Sequence, residues 1–497
     1  MKTPSGFAHL GSLRGPLIHS VLYRALLAAG LTAKFTFVFN DFDAADEFPP
    51  EFKDELVQYA GCPLKDIPSP QAGFENLAGL LVDDLKQVMI SLGVEAEYLS
   101  SWEMYQAGKF DGVIREALDH AEEIQDIYQK VSGSQKRQQG WLPFQVVCEQ
   151  CGKLGTTKVT AWDGELVTYR CEENLVTWAK GCGQTGKISP FGGTGKLPWK
   201  VDWPAHWKVV GVTIEGAGKD HASAGGSYDI ATELCDKVFD YPRPYKLPYE
   251  FILIGGKKMS SSKGLGLRAH DIVKMLPPEL ARFLFTRTNY REQIEFDPMG
   301  SMAIPDLFDE YDECWQAYID SADESLARAF ELSQIKEVPK KEKIYLPRFR
   351  DVANYLQLPN VDLVSKFEEE KGKPLSEEEK QILNQREEYA RIWLENYAPE
   401  EFKVGVTPEL PEAAKNLTPE QKEFLTQVIG LVEKIDEPEK LQTEIYNLAS
   451  GSGLGAKDGF AAIYLSLIGK THGPKAAWLI LDSGKEFVVE RLKEASK

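Results

Sequence analysis

Residues 256–264 read Gly256-Lys257-Lys258-Met259-Ser260-Ser261-Ser262-Lys263-Gly264 and directly follow the apolar run 251–254. The order predicts a buried strand running out into a polar loop. Glycines let the backbone bend and approach a ligand closely, and serine hydroxyls and lysine ammoniums are donors suited to a polyphosphate. Taken alone, such a loop suits a solvated turn better. A distant stretch adds weight: Pro4-Ser5-Gly6-Phe7-Ala8-His9-Leu10-Gly11-Ser12-Leu13-Arg14, where a helix is expected to begin and to run on through 18–27 at helical apolar spacing. A loop feeding a helix N-terminus is a natural anion site, because free backbone amides and the helix dipole point outward. His9 adds a ring donor, and Gly11 leaves room for a flat nucleobase above the backbone.

Together the two stretches resemble the "HIGH" and "KMSKS" signatures of class I aminoacyl-tRNA synthetases. His9-Leu10-Gly11-Ser12 stands for the first, and Lys258-Met259-Ser260-Ser261-Ser262 for the second. Two motifs in the right order are far more specific than either one. The resemblance implies an α/β fold: a Rossmann-like, doubly wound catalytic domain in two halves, residues 1–60 and 199–302, flanking an insertion at 61–198. It also implies ATP with Mg²⁺, held by Pro4, Gly6, His9, Gly11, Ser12, Lys258, Met259, Ser260, Ser261, Ser262 and Lys263. Among these, His9, Ser12, Lys258 and Lys263 are the expected catalytic groups. Two departures stand out. Ser12 replaces the second histidine of the first signature, and Ser261 replaces the internal lysine of the second, for which Lys263 is the candidate substitute.

Composition sets bounds. A chain of 497 residues with 43% hydrophobic content can build two or three domains with real cores. The net charge of −19 argues against indiscriminate nucleic-acid binding and leaves room for a local basic face. No apolar run approaches the ~20 residues of a membrane-spanning helix, and no signal peptide is evident. Scattered cysteines fit a reducing, cytoplasmic setting.

The strand expected at 35–40 ends in Asn40-Asp41-Phe42-Asp43, at the end of a parallel strand where ligands commonly sit. The carboxylates of Asp41 and Asp43 suit a cationic substrate, and equally an Asx turn or helix cap. Segments 73–92 and 105–132 are expected to be helical and to open the insertion. Within it, Cys148-Glu149-Gln150-Cys151 is followed by Cys171 and Cys182, four thiols within 35 positions. The first pair has metal-ligand spacing and the second is looser. A structural tetrahedral Zn²⁺ site is favoured over free buried thiols or a disulfide. Further on, Trp199, Trp203 and Trp207 fall within nine residues, a strand is expected at 208–214, and Gly218-Lys219-Asp220-His221 follows. Lys219 precedes Asp rather than Ser or Thr, which excludes a Walker loop. The tryptophans alone suit a core best; beside a glycine-rich turn they also suit a pocket wall.

Trp199-Lys-Val-Asp-Trp-Pro, Gly218-Lys-Asp-His221, Tyr249-Glu-Phe and Lys258-Met-Ser-Ser-Ser-Lys-Gly264 narrow the resemblance to the class I lysyl-tRNA synthetases. It extends through Leu276-Pro-Pro-Glu-Leu-Ala-Arg-Phe-Leu and Ile294-Glu-Phe-Asp-Pro-Met, strongly to about residue 311 and more weakly beyond. L-Lysine and tRNA(Lys) are the implied partners, with a monomer expected. Trp199, His221 and Tyr249 match positions lining the family's lysine pocket, and Thr3 falls at its rim. Aromatic faces hold an alkyl stem and attract an ammonium.

From about residue 303 the chain is expected to be helical, with amphipathic candidates at 311–332, 376–397, 419–435 and 441–451. The whole region 303–497 resembles the helical anticodon-binding end shared with glutamyl-tRNA synthetases. Two other readings compete: a glutamyl or glutaminyl ligase, whose substrate calls for an arginine-rich pocket, and a non-catalytic tRNA-binding paralogue. A buried parallel strand normally precedes the first signature in this class, whereas Met1-Lys2-Thr3 stand before Pro4 here. The expectation is that the native chain starts upstream, by about 25 codons carrying a Val/Ile-rich run, unless a neighbouring segment fills the place.

Overall fold

The computed structural model describes residues 1–133, 140–259, 266–358, 361–403, 405–407, 409–473 and 475–497. The chain divides into two units, one of Met1–Asp297 with Ser321–Pro339, the other of Pro298–Asp320 with Lys340–Lys497.

In the first unit, a short turn Leu10–Leu13 leads into helix α1 (Arg14–Ala28) and then strand β1 (Thr36–Phe39). The Thr-Phe-Val-Phe run of β1 is mostly buried, as β-branched and aromatic residues on a packed pleat should be. It pairs in parallel with β2 (Glu97–Ser100), Thr36 opposite Glu97 and Phe39 opposite Ser100. Helix α2 (Trp199–Val210) follows the insertion, then β3 (Ile214–Gly218), helix α3 (Ser227–Lys237) and β4 (Tyr245–Tyr249). β3 and β4 form a second parallel pair, with Ile214 opposite Tyr245 and Gly218 opposite Tyr249. Strand β5 (Ile252–Ile254) then turns back through Gly255 and Gly256 onto Lys257–Lys258. Both glycines have positive φ (54° and 70°), as a two-residue hairpin matched to strand twist requires.

Two sequence expectations need correction, the strand at 208–214 and the unbroken helix at 311–332. The strand expected at 208–214 is the end of α2, terminated by the left-handed Gly211, and β3 begins at Ile214. Spacing of four places Trp199, Trp203 and Trp207 on one helix face, with successive ring centroids 5.6 and 5.2 Å apart. Among the described residues the parallel strands form three short separate ladders, β1 with β2, β3 with β4, and β5 with Ile294–Glu295. Residues 1–3 run beside β1 through a single parallel bridge: Lys2 N donates to Val38 O and Lys2 O accepts from Asn40 N, both at 2.9 Å. Residues 321–339 belong to the first unit. The helix expected across 311–332 is broken at Ser321, whose φ is 52°, into Ala303–Asp320 and Glu324–Ser333. Buried Arg282 holds the second piece, donating to Leu332 O (2.7 Å), to Leu92 O (3.0 Å) and to Ser20 Oγ (3.1 Å).

The insertion carries helices Leu77–Ser91, Asp111–Asp119 and Ala121–Ser132 and a three-stranded antiparallel sheet, Thr157–Trp162, Val167–Cys171 and Thr185–Ile188. The second unit is helical. Capping boxes at Ser376/Glu379 and Thr418/Gln421 start the helices Glu377–Asn396 and Pro419–Val432, each side chain satisfying an otherwise free amide. Its core gathers Phe424, Val428, Leu441, Ile445, Ile463 and Ile480. Among the described residues no helix is long and apolar enough to cross a membrane.

Arg282→Ala strips three buried acceptors of their donor and leaves a void, which should cost about 3 kcal/mol. Urea unfolding followed by tryptophan fluorescence checks this, and an unchanged midpoint would show that the guanidinium does not hold the 321–339 segment.

Candidate active site

The first signature segment meets the chain that follows the second signature through backbone hydrogen bonds. Leu10 N donates to Leu267 O (2.8 Å), and Ala269 N donates to Ala8 O (2.7 Å), a short antiparallel bridge between His9 and Arg268. Arg14, buried at the start of α1, anchors the other side by donating to Phe285 O (2.9 Å) and Asn289 O (3.0 Å). The segment 8–14 is therefore held on both sides by chain that follows the second signature.

One cavity of about 680 Å³ results. It brings together Thr3, His9, Gly11, Ser12, Trp199, His221, Tyr249, Lys258 and Met259. Gly11 is needed for close approach: a Cβ there would stand 3.0 Å from the His9 ring and 3.2 Å from Ile252. The Ser12 hydroxyl is buried with no hydrogen-bond partner among the described residues, a donor left over inside the cavity wall. Burial, reinforced by the charges of Lys2 and Lys258, lowers the His9 imidazole to about 4, so the ring is neutral at physiological pH. Lys258 pairs with Asp220 Oδ2 at 2.8 Å and lies 4.1 Å over the Phe251 ring. Met259 is buried against Gly266, whose positive φ and missing side chain admit it. Ser260, Ser261, Ser262 and Lys263 lie outside the described residues.

On the other wall, Trp199 stands 5.3 Å from the His221 ring and Trp203 stands 6.1 Å from it. Burial, then the charges of Glu215 and Asp220, push the Tyr249 phenol up to about 12, so it stays a neutral donor.

Pro4 and Gly6 are buried beneath the loop and do not line the cavity. Asp41 and Asp43 do not line it either. Asp41 accepts from Trp102 N (2.8 Å) and Ser100 Oγ (2.6 Å), and so caps the helix Ser101–Gln106, the second role its position allows. Asp43 accepts from Thr3 Oγ1, from Asn40 Nδ2 and from Lys196 Nζ, each at 3.0 Å. Lys196, which sequence reasoning passed over, is 1% exposed and also reaches Asn40 Oδ1 (2.8 Å) and Asp202 Oδ2 (3.2 Å). Asp202 in turn takes the Tyr105 hydroxyl at 2.5 Å. Burial alone would lower the Lys196 pKa; Asp202 and Asp43 together raise it, which keeps the ammonium charged. A buried cation with two acids thus fixes the end of β1 under the cavity. Two further acids were missed and do line the cavity, Glu215 and Asp220. The only sequence signal for Asp220 was its place inside Gly218-Lys-Asp-His221.

Away from the cavity, the ligand atoms of Cys148, Cys151, Cys171 and Cys182 lie within 4.8 Å of one another. Cys148 and Cys182 sulfurs are 3.6 Å apart, and Cys151 and Cys171 sulfurs 3.7 Å. Tetrahedral Zn–S bonds of about 2.3 Å place sulfurs about 3.8 Å apart, whereas a disulfide needs about 2 Å. Gly181 makes the arrangement possible, since a Cβ there would sit 2.9 Å from Cys171 Sγ and 2.4 Å from Glu172 O.

Known proteins resemble this chain over nearly its whole length. Residues 352–496 match the family described as anticodon binding domain. The lysine–tRNA ligase of Archaeoglobus fulgidus is 34% identical over 99% of this chain and 95% of its own length. That of Methanocaldococcus jannaschii is 34% identical over 98% and 94%, and that of Methanosarcina barkeri 34% over 99% and 93%. With residues 2–336 matching the family described as tRNA synthetases class I (K), the chain belongs to that class I family.

Proposed function

We propose that this protein activates L-lysine with ATP and transfers the lysyl group to tRNA(Lys). The observation that carries the proposal is the cavity lined by His9, Gly11 and Lys258 together with Trp199, His221 and Tyr249. The names of the archaeal relatives support the choice of lysine.

In the first step the lysine carboxylate attacks the α-phosphate of ATP in line, and pyrophosphate leaves. The nucleophile is already ionised, so no strong general base is needed. Rate enhancement comes from positioning and from stabilising charge as it develops on the phosphoryl oxygens. His9, as a neutral donor, the Ser12 hydroxyl and the Lys258 ammonium supply that stabilisation, with Ser260–Lys263 as further candidates from their place in the second signature. Lys258 must exchange Asp220 for the nucleotide, an exposed ion pair that costs little to break. Mg²⁺ bound with the nucleotide would supply neutralisation of the phosphate charge. In the second step the terminal ribose hydroxyl of the tRNA attacks the lysyl carbonyl of the adenylate and AMP leaves. The helical region matching an anticodon-binding family is the candidate to read the tRNA. The four cysteines are assigned to a structural Zn²⁺; four thiolates would leave no open position for catalysis.

His9→Ala and Lys258→Ala should each lower lysine-dependent ATP–pyrophosphate exchange by roughly 10²-fold without lowering the melting temperature. An unchanged rate in either variant removes that residue from the ATP site. Because the His9 pKa is lowered to about 4, its ring does not protonate between pH 8 and pH 6, and the ratio of wild-type to His9→Ala rates should stay constant across that range. A ratio that falls toward pH 6 would mean that the imidazole titrates near its ordinary value.

Metal analysis of purified protein should find about one Zn²⁺ per chain, lost in Cys148→Ser together with several degrees of thermal stability. Metal-free protein with an unaltered melt would return the four cysteines to ordinary buried thiols.

A further inference from the structure

Aromatic walls alone do not select a cation; a buried ammonium also needs a counter-charge. Within the cavity two acids are available, Asp220 and Glu215. Asp220 is exposed to solvent and is engaged by Lys258 at 2.8 Å and by the His221 amide at 3.1 Å, so an ammonium beside it would stay hydrated even after the nucleotide takes Lys258. Glu215 differs. It sits on β3, partly buried, and among the described residues the partner of its carboxylate is a neutral donor, the Trp203 indole N–H at 3.1 Å. A carboxylate offers about four acceptor sites, so most of its capacity is unused.

Among the described residues no cation forms an ion pair with it, although Lys2, Lys34 and Lys258 line the same cavity. His19 lines the same cavity, but its Nδ1 donates to Gly15 O (2.8 Å) while its Nε2 accepts from Gly216 N (2.9 Å), which fixes the neutral tautomer. Burial first, and then the charge of Glu215, raises the phenols of Tyr228 and Tyr249, so these groups also stay neutral around it. Space is kept open above β3: a Cβ at Gly216 would fall 2.4 Å from the His19 ring, and one at Gly218 would fall 2.9 Å from Asp220. Asp41 and Asp43, the acids that the sequence put forward, are occupied by the helix cap and by Lys196.

Resting on the lysine-activation reading above, we infer that Glu215 is the specificity-determining acid of the amino-acid subsite, its carboxylate receiving the substrate's side-chain ammonium between Trp203 and Tyr249. The ammonium donates to the carboxylate oxygen not taken by the indole, and the alkyl stem lies along the Trp199–Trp203 face. A glutamate or glutamine side chain would bring negative or neutral oxygen against the same carboxylate and be rejected.

The test compares wild type with Glu215→Gln and Glu215→Asp in ATP–pyrophosphate exchange, titrating lysine and ATP separately. Gln keeps the shape and the acceptor for Trp203 while removing the charge. It should raise the KM for lysine by roughly 30-fold or more, as loss of a desolvated charge partner does, and leave the KM for ATP within about twofold. Inhibition by norleucine, which lacks the ammonium, should be as strong in the variant as in wild type. Asp keeps the charge on a shorter stem and should retain more lysine selectivity than Gln, which gives a second reading if Gln folds poorly. An unchanged lysine KM in Glu215→Gln, or an equal rise in both KM values, overturns the assignment. If wild type itself shows no lysine-dependent exchange, the activity reading falls first and this inference with it.

Discussion

The site depends on a short piece of backbone pairing. Ala8 and Leu10 exchange hydrogen bonds with Ala269 and Leu267, so the loop before α1 and the chain after the lysine-rich hairpin cannot separate without breaking both. Side chains at the two ends of the fold's first half thereby face one cavity. A nucleotide phosphate needs donors fixed before it arrives, because mobile donors lose in entropy what they gain in charge contact. Backbone pairing supplies that fixity, and the buried guanidiniums of Arg14 and Arg282 extend it to the flanking helices.

Beneath the cavity a second constraint operates. Lys196, Asp43 and Asp202 are three charges in a nearly dry setting, joined to Asn40 and Tyr105. Removing one partner from such a group is expensive because it leaves the others uncompensated. The group therefore makes a rigid base at the end of β1. It also explains why an acidic pair at a strand end, a common ligand position, does not reach the cavity. Glu215, one strand pair away and engaged by a neutral indole, is the acid left to meet a cation.

Much of this was legible in the residues. Both signature loops were visible, because glycine placement, serine and lysine donors and the start of α1 are all short-range signals. The cysteine group was legible from spacing, and three of the four expected C-terminal helices from amphipathic pattern and caps. What escaped depended on partners far along the chain. Asp41 could not be told from a ligand without knowing that Ser100 and Trp102 stand over it. Lys196 carried no local signal of its burial. The strand expected at 208–214 gave way to a helix because the spacing of four among the tryptophans outweighs the apolar run that follows. The break at Ser321 had a local mark in Asp323, which caps the helix beyond it, but that helix is held by Arg282, some fifty positions earlier in the chain.

Aminoacylation of a tRNA(Lys) transcript, run in parallel with labelled lysine, glutamate and glutamine, tests the central claim most directly. The account predicts charging with lysine and none above background with the other two, because an aromatic cavity holding Glu215 accepts a cation and repels a carboxylate. Charging with glutamate or glutamine, or no charging with lysine while the protein remains folded, would contradict it.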